Sequence, residues 1–217
     1  MNNSSNKNQF VICVGFHKTG TSSIGTALSI LNYRVKGVSS RPLIPILNGN
    51  YRKVLKMLKN YDAVQDAPWF KIYKELDELI PNSKFILTIR DEESWYSSAI
   101  KQIGVIRTAQ NEWIYGRGNG LLKYNKKNAI GVYKKHNYDV KNYFKDRPND
   151  LLILDLNNGD GWGKLCPFLN ESIPNEIFPH QNKSNSVSKI KSKNKMMRRK
   201  LKSYFKIKYI DTFVGWN

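Results

Sequence analysis

The residues of this chain best placed to do chemistry lie between Gly15 and Ser22, in the run G-F-H-K-T-G-T-S. Ahead of them, Phe10 to Val14 (F-V-I-C-V) is a short apolar, largely β-branched run, the pattern of a strand buried on both faces. Behind them, Ile24, Ala27, Leu28 and Leu31 recur at helical spacing, and Thr21 or Ser22 is placed to cap the first turn. A strand that passes through a glycine-containing turn into a helix aims backbone N–H groups and the positive end of the helix dipole at one point. Lys18 adds a full positive charge there. The stretch therefore predicts an anion site.

The order of residues narrows the choice of anion. In the phosphate loop of nucleoside triphosphatases, G-x-x-x-x-G-K-[ST], lysine follows the second glycine and the adjacent hydroxyl holds magnesium. Here Lys18 precedes Gly20 by two residues, and Thr21 stands in the lysine position. The later strand Phe85 to Ile89 ends in Arg90, where a nucleotidase more often places a magnesium-binding aspartate. An ATP-dependent small-molecule or nucleotide kinase is the competing reading, and both departures disfavour it.

Taken together, these residues resemble the sulfotransferase superfamily, whose loop runs P/H-K-[ST]-G-[ST]-[ST]. Its second motif is an arginine at the end of a strand with a serine eight positions on, in the next helix. Arg90 and Ser98 in T-I-R-D-E-E-S-W-Y-S-S have that spacing. The run L-L-I-L-D-L-N-N-G-D-G-W-G-K-L-C-P-F-L and the later F-P-H-Q-N-K look like the compact bacterial-type branch, so that the resemblance spans roughly residues 10 to 183.

The resemblance implies a P-loop enzyme that moves a sulfuryl group from 3′-phosphoadenosine-5′-phosphosulfate (PAPS) to a hydroxyl or amine, with PAP as product and no metal. It implies that Lys18, Thr19, Gly20, Thr21, Ser22 and Ser23 cradle the 5′-phosphosulfate. By the same resemblance Arg90 and Ser98 hold the 3′-phosphate. Asp66 follows the strand candidate D-A-V-Q, near the place where several branches put a catalytic carboxylate or histidine; it is equally suited to cap the helix at Pro68. His17 is a candidate to contact the sulfuryl group or the acceptor, beside a structural role, since the family often has proline there. His136 reads as a packing or helix-surface histidine, with contact to the acceptor as the alternative. Many members carry an R-K-G element near the 3′-phosphate, which this chain lacks; Arg117-Gly118 and Lys183 are the possible substitutes.

The elements that must position these groups follow from periodicity. Strands are expected at Asp62 to Asp66, Lys84 to Ile89 and Leu151 to Leu156, and helices at Trp69 to Ile80, Glu92 to Ile103, Lys126 to Lys145 and Trp162 to Leu169. Residues 104 to 122, with Y-G-R-G-N-G at 115 to 120, read as a mobile surface segment. Alternating strands and helices predict an α/β, three-layer fold with a central parallel sheet of about four to five strands flanked by helices. Ligands in such sheets sit beyond the C-terminal strand ends, so the loop, Asp66, Arg90 and Asp155 to Trp162 should converge on one edge. Residues 36 to 60 and 104 to 136 are the expected walls for a small-molecule, glycan or lipid acceptor.

The chain of 217 residues suits one domain of residues 10–183, after nine polar residues expected to be disordered. Eleven of the 36 Lys/Arg fall from Lys183 onward against the single acid Asp211, so about half of the +19 net charge lies in the tail of residues 184–217. That tail is expected to be helical in part. It either lays a basic amphipathic face on an acidic membrane surface or polyanion, or folds its aromatics Tyr204, Phe205, Tyr209, Phe213 and Trp216 back on the domain. A non-catalytic P-loop domain with such a tail is the second alternative; no specific nucleic acid is expected. Two cysteines make no disulfide framework, and no run resembles a signal peptide or the roughly 20 apolar residues of a membrane span. A cytoplasmic location is the expectation.

Overall fold

Five short strands, β1 (Val11–Cys13), β2 (Val35–Lys36), β3 (Ala63–Gln65), β4 (Lys84–Thr88) and β5 (Leu151–Leu154), form one parallel sheet in the order β2-β3-β1-β4-β5. This is the arrangement in a computed structural model that describes residues 7, 9–180 and 190–216. The disorder expected for the first nine residues falls almost wholly outside them, and Lys183 falls outside them too. Helices α1 (Thr21–Ile30), α2 (Leu43–Leu47), α3 (Tyr51–Lys56), α4 (Tyr73–Leu79), α5 (Glu92–Gln102), α6 (Ala109–Tyr115), α7 (Lys126–Tyr143), α8 (Trp162–Leu169) and α9 (Ile190–Phe213) surround the sheet.

The central position of β1 explains its composition. Val11, Ile12 and Cys13 pair with Ala63, Val64 and Gln65 on one side and with Lys84, Phe85 and Ile86 on the other. Val11 and Cys13 pack with Ile24 and Leu28 of α1 and Leu165 of α8, whereas Ile12 and Val14 pack with Trp69, Leu76 of α4 and Val140 of α7. Both faces are covered, so no position of the strand tolerates a polar side chain. Each aliphatic residue buried this way contributes about 1.5–3 kcal/mol of transfer free energy. Because β1 has neighbours on both flanks and all strands run one way, the chain leaving β1, β3 and β4 opens at one edge.

Three expectations change. The helix foreseen from Trp69 begins as a 3₁₀ turn, Trp69–Ile72, closed by Trp69 N–H donating to the Asp66 carbonyl at 3.0 Å, and becomes α-helical at Tyr73. Residues 104–122 are not a mobile segment, because they contain α6 and wrap a wholly buried carboxylate. Glu112 accepts from Arg107 Nε (2.7 Å), Arg117 Nη1 (3.0 Å) and the N–H groups of Gly118 (2.5 Å) and Gly120 (3.1 Å). Burial raises the Glu112 pKa, but these donors outweigh it and leave the carboxyl below its usual range. Gly120, one of the glycines that suggested mobility, is a packing requirement: a Cβ there would stand 2.5 Å from Glu112 Oε1.

The tail is helical and turns back on the domain, as one of its two expected courses had it, but isoleucines make much of the contact in place of the aromatics. Helix α9 returns to the domain through Ile207 and Ile210, which pack with Leu43 and Leu47 of α2 and Ala109 of α6. Arg117 reaches across to Asp211 at 2.7 Å, and Trp216 Nε1 donates to the same carboxylate. Of the aromatics, Trp216 packs against the same cluster, whereas Tyr204, Phe205 and Phe213 are 60–74% exposed. No helix among the described residues is long and apolar enough to cross a membrane.

Candidate active site

The loop after β1 is built by close backbone approach. Val14 and Gly15 N–H donate to the Ile86 carbonyl at 2.9 and 3.2 Å, drawing the chain across β4. A Cβ on Gly15 would lie 1.9 Å from Thr88 Oγ1 and 2.7 Å from the Thr88 nitrogen. Gly15→Ala is therefore expected to destabilise the fold by about 1–3 kcal/mol, the range for overpacking, read as a lower denaturation midpoint at unchanged m-value.

Thr19 lies under the same turn. Its hydroxyl donates to the Phe16 carbonyl (2.6 Å) and accepts from Thr88 Oγ1 (2.5 Å), while its N–H donates to Phe16 as well. Both polar groups of Thr19 thus hold the loop in its turn. Gly20 occupies the cap position of α1 at φ 106°, with no side-chain cap bond, so neither Thr21 nor Ser22 caps the helix. A Cβ on Gly20 would stand 2.6 Å from Leu156 Cδ1, which brings the chain after β5 to the same edge. Thr21 and Ser23 are buried and Ser22 is exposed at the first turn, whose N–H groups have no intrahelical acceptors.

Lys18 sits at φ 69°, and its Nζ donates to Gln102 Oε1 at 2.7 Å. Burial lowers its pKa, Asp66 raises it, and Arg90 lowers it further. Arg90 Nη1 points at the Lys18 carbonyl, 3.4 Å away, and Arg90 Nε is buried with no hydrogen-bond partner among the described residues. The Arg90 backbone is clamped at both ends by one phenol: its N–H donates to Tyr133 Oη (2.9 Å), and Tyr133 Oη donates to its carbonyl (2.8 Å). Trp95 stacks on Tyr133 with ring centroids 4.4 Å apart and donates from Nε1 to the His17 carbonyl at 2.8 Å. Ser98 lies one turn before Gln102 on α5, hence on the face that reaches Lys18.

Asp66 stands at the end of β3 at φ 67°. Its Oδ1 accepts from the Ala67 N–H at 2.6 Å, and Thr21 Oγ1 donates to Oδ2 over a long 3.5 Å. Burial pushes its pKa up; the Ala67 N–H, Lys18 and Thr21 pull the other way without cancelling it. His17 is buried, with Nε2 hydrogen-bonded to the Tyr115 hydroxyl. Burial, then Lys18, then His136 depress its pKa to about 3. A neutral imidazole bonded to Tyr115 fits the structural alternative, while His17 also lines the cleft where contact with the sulfuryl group or the acceptor is expected. His136 packs inside, donating from Nε2 to the Val14 carbonyl at 2.7 Å, and its pKa is lowered to about 4 by burial.

A cleft of about 530 Å³ opens over this edge, with His17, Lys18, Gly20, Thr21, Asp66 and Gln102 along one side. Arg90 and Ser98 do not line it; Arg90 meets it through the backbone of Lys18. Arg117, a possible substitute for the missing R-K-G, is ion-paired with Glu112 and Asp211 and does not line the cleft. Gln102, Trp95, Tyr115 and Tyr133 escaped sequence reasoning. The one signal for Gln102 was its i+4 spacing from Ser98.

Residues 10–187 match the family described as the sulfotransferase domain. A curated relative, Ava biosynthesis cluster protein M of Aspergillus versicolor, is 26% identical over 208 aligned positions, with 78% of this chain and 79% of the relative covered. A match over most of the chain, on a five-stranded parallel sheet flanked by helices, makes this protein a member of the sulfotransferase domain family.

Proposed function

We propose that the protein transfers a sulfuryl group from PAPS to a hydroxyl or amine of a small acceptor and releases PAP. The observation that carries this reading is the pairing of two cations across one loop, Lys18 over the cleft and Arg90 behind its carbonyl, with the half-buried carboxylate of Asp66 beside them. The buried Arg90 Nε, without a partner among the described residues, is the kind of donor a phosphate oxygen satisfies, and it fits the nucleotide. Bound PAPS supplies a sulfuryl group on a phosphate leaving group.

Lys18 and the first turn of α1, at Gly20, Thr21 and Ser22, hold the 5′-phosphosulfate end and stabilise charge on the leaving oxygen. Arg90 and Ser98 hold the 3′-phosphate. Asp66 takes the proton from the acceptor: it lines the cleft beside Lys18, and its raised pKa makes it a stronger base once ionised. His17, through Tyr115, and Thr19, through Thr88, fix the loop.

Thermal shift with PAP, ATP plus magnesium, and AMP tests this reading. PAP alone should raise the melting temperature, by about 2.7 kcal/mol of stabilisation at a hundred times its Kd. A larger shift with ATP and magnesium would instead select the kinase.

A further inference from the structure

The cleft that starts at Lys18 and Asp66 is also lined by α9, through Arg199, Lys202, Ser203 and Lys206. These four stand at i, i+3, i+4 and i+7, one face of the helix, next to the Ile207 and Ile210 contact that fixes its rotation. Three like charges at that spacing oppose one another, and Lys206 is partly desolvated: its Nζ donates to the Ser40 carbonyl at 2.6 Å, and burial followed by Lys202 lowers its pKa. Asp66 is the only acid among the described lining residues, so the cleft holds a surplus of positive charge beyond Lys18. Val38, Ile103, Ile106, Ala109 and Ile114 supply apolar wall. The volume of about 530 Å³ suits a small molecule.

Building on the sulfuryl-transfer reading, we propose that this face of α9 is the acceptor-selecting anion site. The acceptor carries a carboxylate, phosphate or sulfate group, joined through an apolar body to the hydroxyl or amine that Asp66 deprotonates. Arg199 and Lys202 bind the anionic group as specificity residues, Lys206 sets the floor against Ser40, and the isoleucines cover the body between.

The test uses inorganic phosphate as the probe on the full-length, PAP-saturated protein at constant ionic strength. Wild type should show a further, saturable thermal shift. The double variant Arg199→Ala/Lys202→Ala should weaken the apparent phosphate affinity about tenfold, the equivalent of one charge-assisted hydrogen bond. Arg198→Ala/Lys208→Ala removes the same charge from residues that do not line the cleft and should bind phosphate as wild type does. The shift produced by PAP itself should be equal in all three proteins. Equal phosphate affinity in the two double variants, or no saturable phosphate shift in wild type, would overturn the proposal. So would loss of the PAP shift in Arg199→Ala/Lys202→Ala, which would assign these cations to the donor. The underlying reading fails separately, through absence of a PAP shift in wild type; phosphate titrated into the ligand-free variants then still reads the α9 site.

Discussion

Lys18→Ala is expected to lower turnover about 100- to 1,000-fold, the range for removing one preorganised donor from developing negative charge, and to abolish the stabilisation by PAP. The fold should survive it. Among the described residues Lys18 Nζ has a single hydrogen bond, to the side chain of Gln102, and its left-handed backbone is as strained for lysine as for alanine. The lost group is a cation that burial and Arg90 already disfavour. In the absence of ligand the substitution should therefore leave thermal stability close to that of wild type. An anionic ligand reverses that balance, because it turns the unfavourable proximity of Lys18 and Arg90 into two attractions. The expected pattern is a variant of near-normal melting temperature that no longer responds to PAP. Gln102→Ala provides the contrast: it frees the ammonium without removing it, so PAP should still bind. Full turnover of Lys18→Ala would remove the anion loop from the reaction.

How far the sequence led depended on whether a signal was local. Phe10 to Leu31 declared a buried strand, a turn and a helix because an apolar run, a glycine-containing turn and a helical periodicity follow one another directly, and the structure places β1 and α1 there. The short spacing from Arg90 to Ser98 was equally readable, since one strand end and one helix turn determine it. Residues 104–122 misled because glycine has two meanings. Here Gly118 and Gly120 let the backbone close around Glu112, and that carboxylate is neutralised by Arg107 and Arg117, which composition alone cannot pair. The docking of α9 was hidden for a related reason. Two isoleucines three positions apart in a run of lysines carry little hydrophobic signal until α2 and α6 supply the surface they cover. The basic face lining the cleft follows from that docking, so it too appears only in three dimensions.

Asp66→Asn separates catalysis from structure at the position where the two were entangled. Asparagine keeps the local roles of the residue: it tolerates the left-handed backbone at φ 67°, and its amide oxygen can accept from the Ala67 N–H as Oδ1 does. What it removes is the basic carboxylate. Turnover should fall about 100- to 10,000-fold, as for loss of a general base, while the shift produced by PAP is retained. The stability effect has the opposite sign. Burial raises the folded-state pKa of Asp66, so the folded chain holds this proton more tightly than the unfolded one. The stabilisation this provides is complete below the unfolded pKa and is lost as pH rises through the folded pKa; at neutral pH the ionised carboxylate is a cost that asparagine relieves. The variant should thus melt at or above wild type at neutral pH and converge with it in acid. Wild-type turnover should decline as pH falls through a value above the ordinary aspartate range, and that limb should vanish in the variant. A turn residue would give lower stability with intact turnover, whereas a base strained by burial gives a protein that is at least as stable and nearly inert.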